Sequence, residues 1–148
     1  MKYDILVIAP GGGHLREAMI ALEDIKKFDI LFITNPLPHL VEKCGLNIKF
    51  IIDPHNSLIK YAKNFFRSIY LYFKYFPSII ISTGGGISLS VFIIGKLLGS
   101  RTIFIESGSR IQFPSRTGRL LYYFSDYFII QSDKLKEFYP KSILTSVL

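Results

Sequence analysis

Ile79-Ile80-Ile81-Ser82-Thr83-Gly84-Gly85-Gly86-Ile87-Ser88 is the stretch on which the fold turns. A run of β-branched residues too short for a helix leads into three glycines and then into a helical pattern. A strand this uniformly apolar is buried on both faces, as in a parallel sheet covered by helices. Working outward, residues 3–9, 30–34, 48–52, 102–105 and 127–131 repeat the pattern as short buried strands. Residues 14–27, 57–76, 88–98 and 114–125 carry helical periodicity between them. This alternation predicts an α/β fold with helices on both faces of a parallel sheet. The 148 residues suffice for one domain over 1–148 and are too few for two, with no repeat, linker or low-complexity tract.

Composition narrows the class. Apolar residues make up 49% and charged ones 20%, so the chain folds. A single cysteine, Cys44, excludes an internal disulfide framework and a cysteine zinc site, and fits a reducing compartment. The opening MKYDILVIAP has no basic leader or cleavage site, and no apolar run reaches the roughly 18–20 residues of a spanning helix. A cytoplasmic protein, peripheral at a membrane surface, is expected. The net charge of +7 is uneven: −1 over residues 1–53, +6 over 54–105 and +2 over 106–148. The middle third has no acid at all, which implies an anionic partner.

In such sheets, ligands sit at the carboxyl ends of the strands. Three strand ends deliver small or polar residues there: Gly11-Gly12-Gly13-His14, Thr83-Gly84-Gly85-Gly86, and Glu106-Ser107-Gly108-Ser109-Arg110. The first loop can aim backbone N–H groups at an anion, with a helix N-terminus behind it. It matches neither GxGxxG nor GxxxxGK[ST], which argues against a dinucleotide or P-loop site. His14 at its mouth can donate to phosphate or act as a base, the alternative being a structural histidine and a packing turn. In the second loop Thr83, Ser88 and Ser90 add hydroxyls, although Ser88 also suits a helix N-cap. Glu106 is either a base or hydroxyl acceptor for substrate, or the partner of Arg110 or another basic neighbour. Arg110, Arg116 and Arg119 flank Pro114, a residue suited to a first helical turn, and are either diphosphate ligands or solvated charge.

Residues 57–76 form the most unusual helix. At about 100° per residue, Lys60, Lys63, Arg67 and Lys74 fall within roughly a 60° arc. Leu58, Phe65, Ile69, Tyr72 and Phe76 lie opposite, with Tyr61, Tyr70 and Tyr75 on the flanks. A basic stripe beside an aromatic face without acid describes an interfacial helix, with Lys60, Lys63, Phe66, Arg67, Tyr70 and Lys74 as membrane contacts. The alternative is a surface helix whose apolar side covers the sheet. Both hold together if that side is shared.

PGGGHLREA (residues 10–18), ISTGGGIS (81–88), FIESGSRIQFPSRTGRLLYYFSDYFIIQ (104–131) and YPK (139–141) together resemble the PssD/CpsF/EpsE-type polysaccharide biosynthesis proteins of bacteria. Those are related to the anchor subunit of the eukaryotic asparagine-linked-glycosylation GlcNAc transferase, and the two glycine loops resemble those of MurG. The resemblance implies a Rossmann-like GT-B N-terminal domain, one half of a split glycosyltransferase. This half would supply the acceptor site and membrane attachment, and a separate donor-binding subunit would hold a UDP-sugar. The acceptor would be a saccharide on a polyprenyl diphosphate, for exopolysaccharide or capsule synthesis on the inner face of the cell membrane. Gly11, Gly12, Gly13 and His14 match the family's first loop, Gly84, Gly85 and Gly86 its second. Residues 106–110, with Ser107 and Arg110, match the segment lining the acceptor side. The eukaryotic relative has an N-terminal transmembrane anchor, whereas here the first strand begins by residue 3, leaving attachment to the helix at 57–76. No Asp-x-Asp pair or histidine cluster is present, so neither metal nor cofactor is expected; basic groups and helix N-termini can stabilise a leaving diphosphate. Two rivals remain: a stand-alone enzyme using His14 and Glu106, and a nucleic-acid module, which the apolar face and missing motifs argue against. The apolar C-terminal segment 139–148 is either a docking segment or a final edge strand.

Overall fold

The computed structural model describes residues 2–25, 27–36, 47–54 and 57–146. Among them, seven strands form one sheet: β1 (Ile5–Ile8), β2 (Ile30–Thr34), β3 (Asn47–Phe50), β4 (Ile79–Ser82), β5 (Arg101–Ile105), β6 (Tyr127–Ile130) and β7 (Ile143–Leu144). Every pairing is parallel, in the order β3-β2-β1-β4-β5-β6-β7. The chain first steps outward from β1 to β2 and β3, then crosses over to β4 on the other side of β1. The strand order therefore reverses between β1 and β4, where α/β sheets of this kind open a crevice. Both glycine loops leave from these two strands.

Alternate residues of β1 serve two cores, as the period of a strand requires. Leu6 and Ile8 join Leu71, Tyr72 and Tyr75 of helix α2 (Leu58–Tyr75), Val91, Phe92 and Ile94 of α3 (Ser88–Leu97), and Leu121 of α4 (Arg116–Leu121). Ile5 and Val7 meet Leu15 and Ala18 of α1 (Gly13–Ala21) on the opposite face. Phe104 joins the first core, stacked on Phe128 at 5.0 Å and edge-on to Phe92 at 6.2 Å.

The sheet and its helices agree with the expected alternation, and β2 and β4 have the expected bounds. Two helices differ, and β3 runs Asn47–Phe50 where 48–52 is expected. The helix expected over 14–27 ends at Ala21 and gives way to a 3-10 turn, Glu23–Ile25, whose acidic residues oppose the negative end of a helix dipole. The helix expected over 114–125 is α4 followed by a 3-10 turn, Tyr122–Phe124. Its N-cap is Ser115, whose hydroxyl accepts from Gly118 N at 2.8 Å, so Pro114 precedes the cap instead of occupying the first turn. The C-terminal segment contributes the edge strand β7, paired to β6 at Ile129–Ile143 and Ile130–Leu144. Cys44 lies outside the described residues.

No described helix is long and apolar enough to cross a membrane. Helix α2, at about 1.5 Å per residue, is roughly 27 Å long. Ser57 caps its start and Phe76 closes it in the left-handed conformation (φ 43°). The face it turns to the sheet is not the expected one. Asn64, Ser68, Leu71, Tyr72 and Tyr75 are buried. Of the residues expected to cover the sheet, only Tyr72 does so fully; Leu58, Phe65 and Phe76 are exposed. The reason lies in the two polar residues. Asn64 Nδ2 donates to Ile52 O at 2.6 Å and Ser68 Oγ to Asn64 O at 2.6 Å, so both can be buried without leaving a polar group unpaired.

Candidate functional site

The first glycine loop links β1 to α1, and the second links β4 to α3. Because β1 and β4 are neighbours, the loops lie side by side, tied by Thr83 Oγ1 donating to His14 O at 2.9 Å. Gly85 sits at φ +78°, and a Cβ there would collide with the Pro10 ring of the facing loop. Only glycine permits both that backbone angle and that approach. Ser88 Oγ donates to Gly84 O at 3.0 Å and Gly85 O at 2.6 Å, so this hydroxyl shapes the second loop from within. Ser88 is the first residue of α3, with Ile87 at the N-cap position. In the first loop, Gly11 N is taken by Asn35 Oδ1 from the end of β2, at 2.8 Å. The N–H groups of Gly13 and His14 open α1, where a helix offers no internal acceptor.

Two cavities meet at His14. One, of about 490 Å³, is lined by His14, Gly84, Gly85, Ser109, Arg110, Pro114, Ser115, Arg116, Thr117 and Arg119. It contains three guanidinium groups and no carboxylate. The other, of about 500 Å³, is lined by Gly13, His14, Arg16, Glu17, Ile20, Ser107 and Ser109. It combines two hydroxyls, one carboxylate, an imidazole, a guanidinium and the apolar side chain of Ile20. His14 and Ser109 form the wall between the two. His14 Nδ1 is buried without a hydrogen-bond partner, an arrangement that costs free energy unless a ligand or water completes it.

Glu106 was expected in the cleft or in an ion pair with Arg110. It is 1% exposed and lines neither cavity. Its Oε1 accepts from Ser107 N at 3.3 Å. Its Oε2 accepts from Ser115 N, Ser115 Oγ and Tyr139 OH, each at 3.1 Å. Gly118 packs against the same oxygen so closely that a Cβ would collide with it. Burial, then the Glu106 charge, pushes the Tyr139 phenol far above its ordinary range, so it remains a donor. Glu106 thus lies beneath the loop and holds both of its ends. Ser107 lines the second cavity and Arg110 the first.

The expected membrane contacts Lys60, Lys63, Phe66, Arg67, Tyr70 and Lys74 are all exposed on α2. Beside the basic stripe lies an apolar arc: Leu58 is 84% exposed, Ile59 71% and Phe66 70%, joined by Phe65, Phe73 and Phe76. Arg67 and Lys74 lie over the Tyr70 ring at 5.3 and 5.5 Å. The start of α2 reaches the crevice, since Tyr61 OH abuts Gly86.

Sequence reading missed Glu17, Asn35 and Gln131. Glu17 and Gln131 are buried or half-buried and bonded to each other, Gln131 Nε2 donating to Glu17 Oε1 at 2.6 Å. Asn35 and Gln131 directly follow β2 and β6, and that place at a strand end is the signal the sequence offers for them; for Glu17 it offers none.

The model of the family "Oligosaccharide biosynthesis protein Alg14 like" matches residues 53–148. The human UDP-N-acetylglucosamine transferase subunit ALG14 is 36% identical over 73 residues, covering 45% of this chain and 34% of that protein. The Chlorobium luteolum UDP-N-acetylglucosamine--N-acetylmuramyl-(pentapeptide) pyrophosphoryl-undecaprenol N-acetylglucosamine transferase is 30% identical over 79 residues, covering 53% of this chain and 21% of that enzyme. The matches thus span a third or less of these relatives' length. Acinetobacter baumannii MurG superposes with a TM-score of 0.75 at 14% identity, covering 96% of this chain and 43% of that one, which establishes a Rossmann-like fold of the GT-B type. Because the family model matches residues 53–148, well over half of the chain, the chain belongs to the Alg14-like oligosaccharide biosynthesis proteins.

Proposed function

We propose that this chain is the acceptor-side, membrane-docking subunit of a two-component glycosyltransferase of the PssD/CpsF/EpsE type. A separate donor-binding subunit presents a UDP-sugar, and the acceptor is a saccharide on a polyprenyl diphosphate, made for exopolysaccharide or capsule at the inner face of the cell membrane. The observation that carries this reading is the meeting of His14, Gly84 and Gly85 of the second glycine loop and three arginines at one cavity. A diphosphate needs donors and positive charge without a competing carboxylate, and this cavity supplies them. The names of the human and Chlorobium relatives support the rest: a transferase subunit in one, a pyrophosphoryl-undecaprenol acceptor in the other. The exposed aromatic and basic faces of α2 would hold the crevice at the lipid surface where such an acceptor resides.

In this reading the acceptor hydroxyl attacks the anomeric carbon of the donor sugar, UDP departs, and the hydroxyl proton passes to a base. His14, which lines both cavities, is the group placed to touch the acceptor. Gly12, Gly13, Thr83, Gly84, Gly85 and Gly86 shape the anion cradle, and Arg110, Arg116 and Arg119 hold the diphosphate. Glu106 acts through Ser115 and the loop. Exposed Ile143 and Leu144 on the edge strand are offered to the donor-binding subunit.

The test uses the reconstituted pair. His14→Ala should lower turnover by about 10²-fold or more, the usual contribution of a general base. Gly13→Val is the cleaner steric probe, because a Cβ there meets nothing within 4 Å and leaves the fold undisturbed while narrowing the second cavity beside His14. Gly85→Val would damage the loop itself and is less informative. Near-normal transfer by His14→Ala, Gly13→Val and Arg116→Ala together would place the site elsewhere.

A further inference from the structure

The loop that carries Ser107, Ser109 and Arg110 is gripped by a second buried carboxylate, on the opposite side from Glu106. Glu17 is 4% exposed, and it projects from α1 one turn after His14. Its Oε1 accepts from Gly108 N at 2.7 Å and from Gln131 Nε2 at 2.6 Å. Gln131 Nε2 also donates to Glu106 O at 3.1 Å, so the network closes around the loop's base. Gly108 lies between Ser107 and Ser109, and its N–H is therefore the point at which the wall between the two cavities is pinned. Because i and i+3 share a helix face, one rigid turn of α1 carries both His14 and the group that fixes the facing wall.

We propose that Glu17 is a positioning residue, which through Gly108 sets the spacing between His14 and the Ser109–Arg110 wall at which the arginine-lined cavity captures a diphosphate. The proposal rests on the diphosphate reading given above. Its essential feature is reach and not charge: both hydrogen bonds are accepted by one oxygen, which a glutamine also possesses. Loss of a buried hydrogen bond to a backbone N–H should weaken a ligand held by the loop about tenfold.

Two variants separate reach from charge. Glu17→Gln keeps the length and the acceptor oxygen but removes the charge. Glu17→Asp keeps the charge but falls one methylene short. Binding of inorganic pyrophosphate to the full chain, measured by calorimetry, is paired with hydrogen exchange at the Gly108 amide. Expected are wild-type affinity and protection for Glu17→Gln, with about tenfold weaker binding and faster Gly108 exchange for Glu17→Asp. Equal binding by Glu17→Asp and wild type would overturn the positioning role and leave the diphosphate reading standing. So would weak binding of Glu17→Asp with unchanged Gly108 protection, or a loss in Glu17→Gln as large as in Glu17→Asp. A wild-type chain that binds no pyrophosphate would overturn the diphosphate reading, and with it the purpose assigned to the clamp.

Discussion

Helices α2 and α3 lie side by side on the same face of the sheet and use apolar residues in opposite ways. In α3, Val91, Phe92, Ile94 and Gly95 are buried, and Leu89 and Ile93 pack against the same core. In α2, the buried face includes Asn64 and Ser68, while Leu58, Ile59, Phe65, Phe66 and Phe73 stand open next to a basic stripe. Hydrophobicity in α3 therefore reports on folding, whereas in α2 much of it is left over for a partner. An exposed apolar arc of this kind marks an interaction surface or an aggregation liability. The adjoining Lys60, Lys63, Arg67 and Lys74, with no acid, are the reason an anionic lipid surface is the partner proposed for it.

The largest contrast is in stability. Phe92→Ala should destabilise the fold by about 3–5 kcal/mol, because Phe92 is fully buried against Phe104. Phe66→Ala should change it by no more than about 0.5 kcal/mol. Chemical denaturation of the two variants checks this, and a comparable loss for Phe66→Ala would mean that α2 packs its outer face after all. Next comes binding. Replacing Lys60, Lys63 and Arg67 with Glu should release the chain from anionic vesicles, since each basic residue near such a surface contributes about 1 kcal/mol. Unchanged sedimentation of a folded triple variant would defeat the membrane reading of α2.

Much of this contrast was legible in the sequence, and the part that was not has a physical cause. Strands β2 and β4 are uniformly apolar and bounded by turn residues, so their limits could be read directly. Residues 57–76 mark α2 within one residue at each end, because Ser57 is an N-cap and the periodicity is strong. Which side of α2 meets the sheet was not legible. Asn64 and Ser68 are polar, and they can be buried because each donates to a backbone carbonyl that only the tertiary fold brings near, or that lies one turn back. Glu17 and Glu106 were misread or missed for the same reason. An acidic side chain reads as exposed until backbone N–H groups and hydroxyls from distant segments are known to surround it. Conversely, the glycine loops and His14 were legible because strand ends of a parallel sheet converge by topology, whatever the side chains do.

The smallest expected effect lies at the far edge of α3. Lys96 pairs with Asp126, which also accepts from Thr102 N at 2.8 Å. Burial raises the Asp126 carboxyl, but the Lys96 and Thr102 hydrogen bonds outweigh it and leave the value below the ordinary one. The folded value is depressed, so this stabilisation is present above the unfolded carboxyl value of about 3.9 and disappears as pH falls through the lower, folded one. Asp126→Asn should therefore flatten the acid side of a melting-temperature profile slightly, and less so in high salt.

The central claim is that this chain supplies one half of a transferase, docking the acceptor while another subunit presents the donor. A transfer assay with a UDP-sugar and a polyprenyl-diphosphate-linked saccharide, run with this chain alone, with the donor-binding subunit alone and with both, tests it most directly. The account predicts transfer only when both are present. Sugar transfer by the isolated chain at the rate of the pair would contradict it.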